Sequence, residues 1–426
     1  MQSSSSFEAR SGRLGKGAAT AIALGTVLAL GACDNLLEVE YPGRIPSGQI
    51  DNAALANVLA RSVISDLECA YSNHSAGSSF HSDEWETANS NVPLANWGER
   101  TIGADEDNYV VSSCDDGGFG MQLTLQTARF QSEDIYRRLE AWSDTDVPNR
   151  RSLMAQVRAF GGYAYQFMGE TWCQVAFDGA AAQAPAAALT LAEQRFTEAI
   201  TIAQQAGNTD IVNMSRVGLA RAKLMLKKYG EAATIAQQVP AGYVKDADRG
   251  AENTRRWNDI YRNGNDLGAY TVALSYRNTG DPRLQVVDAN RGAFNPTIAL
   301  WVSNKYTALQ TPIRLASYRE AQLIRAEALA EQNQVSAAMT ILNDRRAEVS
   351  LAPLSASTQA QAIAHVMNER KMELAFEGGH RLADLLRRQL PWKGANGSTQ
   401  VSNPFTARPY GQTTCWPHPT KESNGA

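Results

Sequence analysis

Tyr318-Arg319-Glu320-Ala321-Gln322-Leu323-Ile324-Arg325-Ala326-Glu327-Ala328, followed after a break by Ile341-Leu342-Asn343-Asp344-Arg345-Arg346, decides the fold class. Apolar and small residues return at helical spacing on both sides of the break, so two helices are predicted, over 314–332 and 335–349. Ala326 and Ala338 lie 12 residues apart, and the same interval separates Ala220 from Ala232. Small residues at these offsets let the two helices of a hairpin approach closely.

Moving outward, Phe196, Ala199 and Ala203 recur 33 residues later as Tyr229, Ala232 and Ala236. A period near 34 is the mark of tetratricopeptide-like hairpins. The reading is therefore an all-α chain, with hairpins over about 121–240 and 314–378. A further helix is predicted from Ala53 to about Tyr71. The period fails in two places: 72–120, rich in Ser, Asn, Gly and Asp, and 246–311, which holds the turn Thr279-Gly280-Asp281-Pro282. Both read as irregular, loop-rich regions, and residues 391–426 read as a coil tail pinned from outside. Residues 51–426 are taken as a single domain.

Composition narrows the functional classes. The chain has 426 residues, 43% hydrophobic and 20% charged, which is globular and not disordered. Forty basic against 44 acidic residues give a net charge of −4, so nothing favours nucleic-acid binding. Arg10, Arg13 and Lys16 precede an apolar run from Ala18 to Leu30 that is too short for a comfortable span. It reads as a signal peptide, residues 1–32. Leu30-Gly31-Ala32-Cys33 resembles a bacterial lipobox, which makes Cys33 the lipid attachment site and 33–50 a tether. The remaining Cys69, Cys114, Cys173 and Cys415 are an even number suited to an oxidising compartment. Of three possible pairings we favour Cys69–Cys114, which flank one polar region, with Cys173–Cys415, which would hold the tail.

The C-terminal run also carries a resemblance. The 318–346 stretch, with Glu369-Arg370-Lys371-Met372-Glu373-Leu374-Ala375-Phe376-Glu377-Gly378 continuing through Arg381 to Asp384, Leu385 and Arg387, resembles the core of SusD/RagB-like lipoproteins. Weaker echoes are Leu37-Glu38-Val39, Gly280-Asp281-Pro282-Arg283, Lys305-Tyr306 and Pro417-x-Pro419-x-x-Glu422. An extra Gly precedes His380-Arg381, and the usual closing Asn-Pro is missing. The resemblance implies helical hairpins with an irregular ligand region, on a lipoprotein of the outer membrane facing the cell exterior. It also implies capture of oligosaccharides or other polymer fragments for a SusC-type TonB-dependent transporter.

Candidate side chains follow from chemistry. Sugar rings stack on aromatic faces and their hydroxyls need polar neighbours. This selects Trp85, Trp97 and Arg100 in the first irregular region, and Trp257, Tyr261, Tyr276, Trp301 and Asn304 in the second. Glu369, Glu373 and Glu377 share one helix face and need cations; Arg370, Arg381, Arg387 and Arg388 are the expected partners of an ion-pair brace. His81, Asp83 and Glu84 lack the spacing of a metal site, and no nucleophile or phosphate-loop motif is found. The expectation is a binding protein, not an enzyme, with no cofactor and no metal. The alternative is a periplasm-facing tetratricopeptide-like scaffold that binds proteins, because Asp34 after the lipid Cys can act as a retention signal.

Overall fold

The computed structural model describes residues 50–114, 119–399 and 408–420; Cys33 and its lipobox lie outside them. The folded body begins at Ala53. Helix α1 (Ala56–His81) leads into strand β1 (Trp85–Thr87) and two short helices, α2 (Val92–Glu99) and α3 (Asp107–Val110). Antiparallel helices follow: α4 (Gln122–Ala141), α5 (Arg150–Thr171), α6 (Ala186–Gln205), α7 (Thr209–Met225) and α8 (Tyr229–Gln237). After an insertion carrying β2 to β6, the stack resumes with α9 (Tyr318–Glu331), α10 (Val335–Glu348), α11 (Gln359–Glu373) and α12 (His380–Arg388).

The small residues of the repeat are where the hairpins close. Ala199, Ala203, Ala220, Ala232, Ala236, Ala326 and Ala338 are all buried. The Phe196 ring on α6 sits between Gly162 on α5 and Gly218 on α7, where a Cβ would stand 2.8 and 2.4 Å from ring carbons. Helix α8 packs on α9 despite some eighty intervening residues. The reason is a pinch: β2 (Val244–Ala247) pairs antiparallel with β6 (Ile313–Ser317), Val244 opposite Ser317, and ties together the two ends of the insertion.

Within that insertion, β3 (Tyr270–Val272) pairs with β1, Trp85 opposite Val272, and β4 (Val286–Gly292) forms a hairpin with β5 (Ala299–Ser303). The architecture is thus predominantly helical, with three small strand pairs that the all-α reading did not contain. No described helix is long and apolar enough to cross a membrane.

The first irregular region needs correction. Helix α1 does not stop near Tyr71 but runs ten residues further, and Ser72 to His81 are all buried. Their small, polar composition suggested a loop; instead it suits a crowded interior. The single Ser72 O–H proton is shared between Trp257 O at 2.8 Å and Asp259 Oδ2 at 2.9 Å, Asn73 Nδ2 donates to Gly120 O, and Ser78 Oγ donates to His74 O. A Cβ at Gly77 would meet Met121 Cε at 2.3 Å. Such a helix needs hydroxyls that satisfy themselves and side chains that take little room.

Four cysteines form two bridges, Cys69–Cys114 and Cys173–Cys415, with Cα atoms 6.0 and 5.0 Å apart. The second fixes the tail beside α5, where Trp416 N–H donates to Thr171 O and Cys173 N–H to Trp416 O. The carboxylates of 369–377 do form an ion-pair brace, but with other partners than expected. Glu369 meets Arg283 and Arg346 at 2.6 Å each, Glu373 meets Arg345 at 2.9 Å, and Glu377 meets Lys305 at 2.8 Å. Arg370 turns to Asp384 and Arg381 to Asp83, while Arg387 and Arg388 both grip Glu327. The motif therefore clamps the last helices to the insertion and to the end of α1. Gly378 and the extra Gly379 both have positive φ, and a Cβ on either would meet Tyr71 or His74 of α1 within 2.5 Å. At these positions only glycine supplies both the turn and the space.

Candidate binding depression

The end of α2 and two tail segments converge on an open depression of about 480 Å³. Arg100, Trp392, Gly394, Ala395, Asn396, Gly411, Gln412 and Thr414 line it. Arg100 terminates α2 in a left-handed conformation, φ 57°. Its guanidinium carbon lies 5.1 Å from the ring centres of both Trp392 and Tyr410, and Nη2 donates to Gly394 O at 2.6 Å. Arg100 is only 3% exposed, whereas Trp392 is partly exposed. The tail is held against α2 by Gly411 N–H to Glu99 O and Thr413 N–H to Arg100 O.

Beneath the depression sits a polar layer. Tyr410 Oη donates to Glu86 Oε2 at 2.9 Å, and Lys393 Nζ donates to Phe80 O and Trp85 O. Desolvation pulls the Lys393 pKa down to about 8, against the pull of Glu86 and with the help of Arg100. The His81 ring stands edge-on to Trp392. Burial lowers its pKa to about 3, so the ring is neutral, and Nε2 must carry the proton it donates to Thr414 O.

Two other hollows are less suited to a sugar. One, of about 60 Å³ between α9, α10 and α11, has room for only about two waters. Another, of about 640 Å³ along α10, is lined by Ser, Thr, Asn, Asp, Val, Met and Ala side chains with no aromatic ring.

Of the eight candidates from sequence, Arg100 alone lines the depression. Trp85 and Tyr276 are fully buried, Trp85 edge-on to Phe80 and Phe376, and Tyr276 beside Phe376. Trp97 is 1% exposed among Tyr109, Phe119 and Trp416. These three rings are core residues: Trp97 is enclosed by α1, α3 and the tail, and Trp85 and Tyr276 both close on Phe376 after α11. Trp257 is partly exposed, bonded through Nε1 to Ala251 O, and Tyr261 opens a π-helical turn. Trp301 is partly exposed on β5 with Arg277 stacked at 5.3 Å, and Asn304 is exposed nearby. Sequence reasoning missed Trp392, Asn396, Gln412 and Thr414. An aromatic close to amides in an aperiodic, Gly-rich stretch was the same signal that drew attention to Trp97.

The buried histidines set a pH dependence. Burial lowers His74 and His81 to about 3 and His380 well below its ordinary 6.5, with Arg221 also opposing charge on His74 and His380. On acidification the unfolded chain takes up these protons first, so each histidine reduces stability as pH falls from 6.5 towards 3. Burial raises Glu84 and Glu320 to about 7 and Asp259 to about 6. The folded chain takes up those protons first, which opposes the loss between pH 7 and about 4.5. Below about 4.5 the opposing carboxyls are largely protonated in both states, and the histidine loss is joined by that of carboxylates whose pKa their arginine partners hold down, Asp384, Glu327 and Glu133 among them. Urea midpoints are expected to change little from pH 7 to 5.5 and to fall steeply below about 4.5. An equally steep fall between 7 and 5.5 would contradict this balance.

Residues 299–423 match the model of the SusD family. No curated protein is similar to the chain in sequence. Solved structures are similar over most of its length. A SusD-like carbohydrate binding protein from Bacteroides vulgatus shares 14% identity and a TM-score of 0.59, covering 79% of this chain and 84% of its own. A laminarin binding SusD-like protein shares 15% and 0.56, covering 88% and 98%. Surface glycan-binding protein A from Bacteroides uniformis shares 14% and 0.58, covering 86% and 98%. Residues 299–423 thus carry the sequence pattern of the SusD family, and the fold over most of the chain is that of SusD-like proteins.

Proposed function

We propose that the chain is a lipid-anchored protein of the outer cell surface that captures oligosaccharides or related polymer fragments and hands them to a SusC-type TonB-dependent transporter. The observation that carries the capture reading is the depression between Arg100 and Trp392. A partly exposed indole face stands beside the polar side chains of Asn396, Gln412 and Thr414, which suits a sugar's apolar face and its hydroxyls. The ligands named for the similar structures support it. Trp301, stacked with Arg277 and partly exposed, is the second ring we assign to ligand contact. The role is binding and not catalysis, and no residue is assigned to bond cleavage.

Trp392→Ala is expected to weaken polysaccharide binding about ten-fold or more while leaving the melting temperature close to that of the parent, by analogy with stacked bases. Unchanged affinity would remove the depression from the binding site. Anchoring rests on Leu30-Gly31-Ala32-Cys33, and Cys33→Ala tests it by release from membranes. Protease access on intact cells separates this reading from a periplasm-facing scaffold.

A further inference from the structure

We infer that the depression selects acidic saccharides, those carrying carboxylate or sulfate groups, and that Arg100 with Lys393 behind it is the selecting pair. The inference rests on the capture reading and adds the class of ligand.

The argument is one of charge left over. Arg100 is almost wholly buried, yet among the described residues no carboxylate lies within ion-pair distance of it, and its Nε has no hydrogen-bond partner. Among the described residues its one direct side-chain hydrogen bond is to a neutral carbonyl, Gly394 O. Lys393 is alike: its ammonium is held by two backbone carbonyls and by no described carboxylate. The nearby acids are engaged elsewhere. Asp83 is held bidentate by Arg381, both contacts at 2.6 Å, and Glu99 faces Arg408 at 3.2 Å. Glu84 accepts the Phe376 N–H, and burial raises its pKa to about 7, so much of it is neutral near that pH. Glu86 alone remains, bonded to Tyr410 and within electrostatic reach of both Lys393 and Arg277.

Glu86 therefore answers chiefly to Lys393 and shares Arg277 with Asp288, while the one group opposing desolvation of Arg100 is the Tyr410 hydroxyl. Burying a cation without a counter-ion is unfavourable, and burial depresses the pKa of Arg100 as it does that of Lys393. An anion entering the depression would meet a guanidinium already fixed between two rings, needing little reorganisation to bond. Trp392, on the same wall, would take the sugar face. A neutral glycan would gain the stacking but leave the charge unmet.

The test uses the full chain in affinity electrophoresis. Gels would carry carboxylated polymers (polygalacturonate, alginate), sulfated ones (chondroitin sulfate, carrageenan) or neutral ones (galactan, laminarin, starch). At least one acidic polymer is expected to bind about ten-fold tighter than every neutral one, with binding weakened by added salt. Arg100→Gln should remove about ten-fold of that affinity. Lys393→Met serves as the second variant if the first melts early. The carboxylated and sulfated arms decide which anion is read. Retardation by neutral polymers alone, or by acidic ones without loss in either variant, overturns the selection while leaving glycan capture intact. No retardation by any polymer overturns the capture reading itself.

Discussion

Replacing Arg221 by methionine is expected to destabilise the fold by about 3–5 kcal/mol. Arg221 lies on α7 at the centre of the helical stack, 3% exposed. Its Nε and Nη2 donate to the two oxygens of Glu170 at 2.6 and 2.5 Å, and Nη2 also donates to Gly378 O at 3.1 Å. Nη1 approaches Glu320 and His380. Without the guanidinium, two buried carboxylates from α5 and α9 lose their principal cation, and the Gly378 carbonyl loses a donor. The size of the loss comes from the stranded acids more than from the missing bond. The double variant Arg221→Met with Glu170→Gln should therefore recover part of the loss, which a four-protein urea cycle would measure. A single-variant loss below about 1 kcal/mol would mean that water reaches the cluster.

Trp97→Ala is expected to cost a similar amount, about 3–5 kcal/mol, and to leave ligand affinity unchanged wherever the variant is folded. The indole stands edge-on to Phe119 and Trp416 and fills the space over Gly77. Truncation opens a cavity between α1, α2 and the tail that rigid neighbours cannot close. The contrast with Trp392→Ala is the informative comparison: the buried ring should move the denaturation midpoint, and the partly exposed ring should move the affinity. A Trp97→Ala variant that melts normally but binds poorly would reverse the assignment.

The hairpins were legible because their information is local. Alanines at 12-residue intervals and an apolar helical period report a packed face whatever surrounds it, and those alanines are the buried ones. The segment Ser72–His81 was not legible, because a loop and a helix threaded through a polar interior use the same small residues. Only distant chain, Trp257, Asp259 and Gly120, distinguishes them. The carboxylate face at 369–377 was legible as a brace, but its cations Arg283 and Lys305 come from the insertion, which no helical spacing could indicate. The depression failed for a related reason. Its wall is assembled from residues near 100, 392–396 and 411–414, and Arg100 was picked from one of these three segments without the other two.

Trp416 has a further consequence, one of timing. Synthesis runs from the amino terminus, and helical hairpins can settle as they emerge. Trp97, His74 and His81 cannot, because the ring that covers all three arrives only with the tail, some three hundred residues after Trp97. Until then His74 and His81 of α1 and Trp97 of α2 form a patch without that covering ring. A chain cut short by proteolysis or interrupted translation would keep its hairpins and still carry that patch. Burial of Trp416 is thus the last step in closing this aromatic core, and it depends on a segment that the hairpins do not need.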